Sequence, residues 1–361
     1  MRDAAPLEAA IVAVPESAGS ALYGMVDVLS ATGSVWHALM RASPASAPFR
    51  VRIVSPIRER FRCGYGIPVE PDAAIQDVEH ADLVILPELW LGPDEHMRGR
   101  YPTLVEWIRA RYEAGAHVYS ACSGALMLAE TGLLDGRHAT SHWGYEDLFR
   151  REYPQVRFEP APSLCVADPE GRIVTAGGTT SWHDLALHII ARHVNPGEAM
   201  RIAQVYLLKW HGEGQRPYAP LVREVPHGDA TVRECEAWLK AHFREPGAVA
   251  GAVRHARIPE RTLKRRFKAA SGVAMIDYVQ NLRIDEAKRL LETSDDAVDE
   301  IGFAVGYEDA SFFRRLFKRC TGVTPGRYRR MFGPIRGGLI AASAPGAARR
   351  QGTPNTGPRT G

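Results

Sequence analysis

The sequence predicts an α/β amino-terminal half, a flavodoxin-like parallel sheet sandwiched by helices, followed by an all-α carboxy-terminal domain with two helix-turn-helix units. Three observations carry this. Apolar strand-like runs alternate with helical patches through the first two hundred residues. The alternation stops near residue 231, where Lys/Arg-rich helical periodicity takes over. Within that second region a block of sequence recurs at an offset of 50 residues.

In the first half, "EAAIVAVP" (8–15) is a short apolar run ended by Pro15, and "FRVRIVSP" (49–56) alternates through Val51 and Ile53 to Pro56. "ADLVILPE" (81–88) and "GAHVYSACSG" (115–124) are continuous apolar runs, the pattern of strands buried on both faces. Helical patches fall between and after them, at Leu22–Leu29, Leu104–Glu113, Gly124–Glu130 and Asp184–His193. These runs define a domain over residues 1–210. The Gly/Pro-rich stretch 211–230 reads as a linker, 231–332 as the helical domain, and 333–361, small and Pro/Gly-rich, as a disordered tail.

Charge divides the same way. Residues 231–332 hold 20 basic and 14 acidic side chains, and the tail adds four Arg, whereas residues 1–230 hold 21 basic and 28 acidic. Only the second half is therefore expected to meet a polyanion. No apolar run approaches the roughly 20 residues that span a bilayer, and Met1–Glu16 does not read as a signal peptide, so a soluble cytoplasmic protein is expected. The five cysteines (Cys63, Cys122, Cys165, Cys235, Cys320) have neither C-x-x-C spacing nor an even number. Neither a metal site nor a disulfide framework is expected, and no cofactor.

The repeat aligns "LKRRFKAASGVAMIDY" (263–278) with "FRRLFKRCTGVTPGRY" (313–328) without a gap. In the first copy Leu263 and Phe267 share a helix face, Lys264, Arg265 and Lys268 lie off it, and Gly272 ends the helix. Phe313, Phe317, Arg314, Arg315, Lys318 and Gly322 repeat those roles. Upstream, Ile301, Val305 and Gly306 describe a short helix feeding a sharp bend, which is helix-turn-helix geometry. A stripe of Ile276, Val279, Leu282, Ala287 and Leu290 predicts one long helix over 275–293 that spaces the two units. Arg257 stands where the second bend has Gly306, so the first unit is expected to be less regular.

"IGFAVGYEDASFFRRLFKRCTGVTPGRYRR" (301–330) resembles the signature of AraC/XylS-type transcription regulators. The resemblance implies recognition helices in successive major-groove segments of double-stranded operator DNA. By position, Arg261, Lys264 and Arg265 in the first reader and Ala310, Ser311, Arg314 and Arg315 in the second would face bases. Lys268, Lys318 and Arg319 suit phosphates. It also implies a homodimer and, for an activator of a metabolic operon, contact with RNA polymerase.

In "VYSACSGALMLAETGLLDGRHATSHW" (118–143), an apolar strand runs into Cys122 and Gly124 opens an apolar helix. A small-residue turn of this kind lifts its central side chain to the carboxyl edge of the sheet. The helix start behind Cys122 is expected to lower its thiol pKa. The segment, with "TAGGTTSWHDLALHII" (175–190), resembles class I glutamine-amidotransferase-like domains of the PfpI type, and the pairing with an AraC-type domain resembles the GlxA-type regulators. Enzymes of that superfamily use the elbow cysteine as nucleophile. Here Ala21 stands where they carry an acid, the bulky loop 86–92 replaces an oxyanion-binding glycine loop, and Ser123 follows the cysteine. A lone cysteine lacking both supports is a poor catalyst. Three readings stand: an inert elbow, a sensing pocket built from Cys122, Ser123, His142, Glu88 and Leu89, and a Cys122-dependent amidase- or hydratase-like enzyme. If Glu88 points into the pocket it favours an amine-bearing small-molecule effector.

Overall fold

The alternation in the first apolar run sorts its side chains to two faces. In the computed structural model, which describes residues 5–43, 46–92, 95–223 and 227–336, this run is strand β1 (Leu7–Val12). Ala9 and Ile11 enter one buried cluster, Ala10 and Val12 another, as a strand covered on both sides requires. The chain continues through α1 (Gly19–Ala31), α2 (Val35–Leu39) and β2 (Phe49–Ser55) to a hairpin, β3 (Phe61–Cys63) and β4 (Ile67–Val69), and β5 (Ala73–Ala74). Next come β6 (Leu83–Leu86), α3 (Pro102–Glu113), β7 (His117–Ala121), α4 (Gly124–Glu130), β8 (His138–Ala139), α5 (Glu146–Glu152) and β9 (Arg157–Phe158). β10 (Leu164–Val166), β11 (Ile173–Ala176), α6 (Trp182–His193) and α7 (Pro196–Tyr206) complete the first of two units, which divide between Ala219 and Pro220.

Seven strands form the central sheet in the order β10-β11-β7-β6-β1-β2-β5. All neighbours pair in parallel except β10 with β11. From β1 the chain winds outward through β2 and β5, then crosses back to lay down β6, β7 and β11 on the other side. The order reverses between β1 and β6, and the crevice outside the carboxyl ends of such strands is where α/β sheets bind ligands. Leu22, Met25, Leu185 and Ile189 of α1 and α6 cover one face. Leu104, Ile108 and Leu126 of α3 and α4 cover the other. The four strands read from sequence are β1, β2, β6 and β7. The hairpin, β5, β10 and β11 are two to four residues long, too short to show a period.

Of the stretch 211–230, Gln215 is buried in the first unit at 4% exposure, and Leu221 and Val222 pack in the second. That second unit is helical: α8 (Ala230–His242), α9 (Ala248–Ala256), α10 (Glu260–Ser271), α11 (Met275–Thr293), α12 (Val298–Ala304), α13 (Ala310–Thr321) and α14 (Pro325–Arg336). It has two cores. Val232, Leu239, Ala252, Leu263, Phe267 and Tyr278 make one, and Ile284, Leu291, Ile301, Phe313, Phe317 and Tyr328 the other. α11 supplies both, as the expected spacer should.

Three local expectations are corrected. Ile276 is not part of the buried stripe of α11: it is 54% exposed, and Met275, Tyr278 and Val279 take the core positions, because the face turned inward is offset by one residue at the helix start. Arg257 does not spoil the first bend. It adopts the left-handed conformation at φ 52°, whereas Gly306 sits at φ 96°, where an added Cβ would lie 2.4 Å from the Arg244 carbonyl. The first value is open to a side chain at modest cost and the second is not. Finally, α14 runs to Arg336, past the expected domain end, because Met331 and Phe332 pack against the second core. The rest of the expected tail, 337–361, lies outside the described residues.

Candidate functional site

The elbow after β7 is built by one close approach. Gly124 opens α4 so near β6 that a Cβ there would lie 2.3 Å from the Leu86 carbonyl and 2.6 Å from that of Pro87. Two residues earlier Cys122 sits at φ 52°, strain of the kind that gathers at functional sites. The Cys122 amide donates to the Ala176 carbonyl at 3.0 Å, and the Ser141 hydroxyl donates to the Cys122 carbonyl at 2.7 Å.

The cysteine is not alone. Its thiol donates to Glu88 Oε1 at 3.4 Å, and the Thr179 hydroxyl donates to the same oxygen at 3.0 Å. The acid thus comes from the loop after β6, not from α1, where Ala21 is fully buried. That corrects the expectation of a cysteine without an acidic partner: a carboxylate several elements away in sequence reaches it because β6 and β7 are neighbours. The expected lowering of the thiol pKa is also corrected. Burial, at 1% exposure, pushes the Cys122 thiol up, and the adjacent Glu88 carboxylate pushes it further. Burial likewise raises the Glu88 carboxyl, against the opposing hydrogen bonds of Thr179 and Cys122. Neighbouring amides are occupied: Leu89 N–H donates to Ser123 Oγ at 2.8 Å and Trp90 N–H to the Glu16 carbonyl at 2.6 Å.

Beside the elbow lies a cavity of about 190 Å³. Of the five residues expected to form a pocket, only His142 lines it. Cys122, Ser123, Glu88 and Leu89 are buried at 4% exposure or less, and Thr179 connects the two places, lining the cavity while holding Glu88. The motive for an amine-bearing ligand therefore falls away: Glu88 is turned to Cys122 and Thr179. The cavity wall includes His211, Gln215 and Tyr218, which the sequence reading missed. Their Gly/Pro-rich context carries no periodicity. In the first turn of α6, Asp184 accepts from the His211 amide at 3.1 Å and lies 3.3 Å from its ring Nδ1. That contact, first, and the carboxylate's charge raise the His211 pKa.

In the helical unit the repeat is a structural duplication. Phe267 meets Tyr278 edge-on at 5.3 Å, and Phe317 meets Tyr328 edge-on at 5.5 Å. Ser271 Oγ donates to the Phe267 carbonyl at 2.7 Å and Thr321 Oγ1 to that of Phe317 at 2.8 Å. Gly272 and Gly322 close the helices at φ 78° and 81°. Arg261, Lys264, Arg265 and Lys268 are exposed on α10, as are Ser311, Arg314, Arg315, Lys318 and Arg319 on α13, while Ala310 is half-buried. Lys264 pairs with Glu260 at 2.5 Å and Arg314 with Asp299 of α12 at 2.7 Å. Arg265 and Arg315 form no such pair among the described residues. The two helices differ at their starts. Asp309 caps α13 by accepting from the Ser311 and Phe312 amides at 2.7 and 3.1 Å, whereas Pro259 offers α10 no side-chain cap.

Comparison with known proteins matches both units. A helix-turn-helix domain family matches residues 252–331, and the DJ-1/PfpI family matches residues 28–192. The HTH-type transcriptional regulator CdhR of Pseudomonas aeruginosa is 28% identical over 80% of this chain and 83% of its own length. The HTH-type transcriptional regulator GlxA of Rhizobium meliloti is 29% identical over 63% of this chain and 69% of its own. The arabinose operon regulatory protein of Escherichia coli is 30% identical over 29% of this chain and 36% of its own. A solved AraC family transcriptional regulator from Pseudomonas putida, 18% identical, covers 56% of this chain and 100% of its own with a TM-score of 0.46.

Proposed function

We propose that this chain, which joins a DJ-1/PfpI domain to an AraC-type helix-turn-helix domain and is a DNA-binding transcription regulator, reads an operator with two recognition helices under the control of a small-molecule effector. The observation that carries the reading is the duplication itself. α10 and α13 expose Arg265 and Arg315 at one repeat register, each above a matched core. Arg to guanine is the commonest specific base contact, and phosphate contacts from Lys268, Lys318 and Arg319 would set the register of the protein on the duplex. Arg314 and Lys264 exchange an intramolecular carboxylate for DNA on binding. The chain acts as a homodimer in the cytoplasm, activates a metabolic operon, and meets RNA polymerase there.

The DJ-1/PfpI domain serves as a sensor rather than a catalyst. A nucleophilic cysteine must be a thiolate and must be reachable. Burial at Cys122 and the neighbouring carboxylate oppose both, and the loop amides at Leu89 and Trp90 are already bonded. The enzyme reading keeps one observation in its favour, the Cys122–Glu88 contact. Thiol-dependent turnover lost in Cys122→Ser would revive it.

The test is selection of purified protein on a library of random duplexes, with sequencing of the bound fraction, beside an Arg265→Ala/Arg315→Ala double variant. Two short motifs about one helical turn apart, lost in the variant, are expected. Salt-sensitive binding with no enrichment would sink the sequence-specific reading.

A further inference from the structure

The cavity beside the elbow opens at the start of α6. Gly178, Thr179, Thr180 and Ser181, the turn that leads into this twelve-residue helix, line it. A helix start favours negative charge and offers unpaired amides. A second observation points to a ligand. Ser163 and Ser181 line the cavity at 8% and 6% exposure, and among the described residues neither hydroxyl has a protein partner. The surrounding hydroxyls of Ser123, Thr140, Ser141 and Thr179 are all engaged. Ser163 and Ser181 are buried, but their hydroxyl oxygens open into the cavity, where a ligand or water supplies the partner that the protein does not. Two features weaken the opposition of the nearby carboxylates to an anion: Asp184 faces His211, whose pKa it raises, and burial raises the pKa of Glu88, which is turned to Cys122 and Thr179. The space, about 190 Å³, holds about six waters or a metabolite of that bulk.

The far wall is a strap, residues 211–219. Gln215 is its peg. The side-chain amide donates to the Ser141 and Pro162 carbonyls at 2.9 and 3.1 Å, and its oxygen accepts from the Trp143 amide at 3.2 Å. Gly177 leaves room for it, since a Cβ there would lie 2.2 Å from Gln215 Nε2. Asp184, three residues into α6, holds the strap's beginning through His211. Beyond its end only Pro220 intervenes before Leu221 and Val222, whose amides both donate to the Asp285 carboxylate at 2.9 Å. Asp285 is on α11, the helix that contributes to both cores of the helical unit.

We propose that this cavity binds a small carboxylate through the start of α6 and the Ser163 and Ser181 hydroxyls, and that the strap over residues 211–219 carries its occupancy to the DNA-binding unit. The proposal rests on the effector-controlled regulator described above. Occupancy biases the strap between a pinned and a loosened state, and a ligand shifts such an equilibrium only by its preference for one of them.

The test uses the full chain, with acetate, lactate and glycine as probes at millimolar concentration and acetamide, propane-1,2-diol and glycinamide as their uncharged-head controls. At least one carboxylate, and not its control, is expected to raise the melting temperature and slow amide exchange in both 177–185 and 209–222. In Ser163→Ala/Ser181→Ala, which stays folded by melting, that probe is expected to bind about tenfold or more weakly, the loss of a hydrogen bond to a charged group. A Gly-Gly-Ser insertion between Ala219 and Pro220 is expected to leave binding intact and abolish the probe's effect on affinity for the selected duplex. No carboxylate preference, or equal binding by the double variant, overturns the site. A DNA response that survives the insertion overturns the strap. Duplex selection in the absence of probe separates these failures from failure of the regulator reading.

Discussion

Arg315 and Lys318 stand on the exposed side of α13, whose other side is Phe313, Leu316 and Phe317. They differ in what they are expected to read. Arg315→Ala should cost about 1–3 kcal/mol at a specific site and relax the choice at one base position. Competition against single-base variants of the selected duplex checks this, and a loss uniform over all duplexes would remove Arg315 from base reading. Lys318→Ala should weaken all duplexes alike and lower the salt slope by about one, measured by titration over a range of ionic strength. In the other unit, Cys122 is held neutral by burial and by the Glu88 carboxylate. Alkylation of the native chain, mapped by mass spectrometry, should therefore modify the half-buried Cys165 and Cys320 well before Cys122. Early labelling of Cys122 would contradict a quiescent thiol.

α10 and α13 share a core plan but not a cap. Asp309 satisfies two of the free amides at the start of α13, and Pro259 satisfies none at the start of α10. Asp309→Ala should destabilise the helical unit by about 1 kcal/mol, read from urea denaturation. A Pro259→Ala change should lack that loss, since no side-chain cap is removed. A null result at Asp309 would mean that packing by Phe313 and Phe317 alone fixes the helix start. The α6 start is held differently, through Asp184 and a strap distant in sequence, which is why the acid's position in the first turn was legible and its partner was not.

At the scale of the whole chain, the two units carry their own cores, so pH should act on them separately. In the first unit His117, His188 and His193 gather around Tyr119, whose hydroxyl lies 2.8 Å from His193 Nε2. Burial first, then His117, Arg192 and His188, depress the His193 pKa to about 4, and burial lowers His117 and His188 as well. A histidine whose folded pKa lies below its unfolded value near 6.5 binds its proton more readily when unfolded. Stability of the first unit should therefore fall as pH drops from about 6.5 toward 4, and His193→Gln should flatten that fall. Melting curves across the window check it; an identical slope in the variant would take His193 out of the acid response. Among the described residues no helix is long and apolar enough to cross a membrane.

Much of this protein was determined by local pattern. Continuous apolar runs specified β6 and β7, a period of 3.6 specified α3 and α11, and the 50-residue repeat specified two basic helices together with the glycines that end them, because period, terminator and charge are properties of neighbours along the chain. Tertiary structure alone decided the rest. It brought Glu88 to Cys122 across adjacent parallel strands, buried the thiol that an isolated helix start would have activated, and turned a Gly/Pro-rich stretch into the wall of a cavity through Gln215. Each of these depends on which strands lie side by side and on how deeply a group is withdrawn from water, and neither quantity is written in the spacing of residues along the chain.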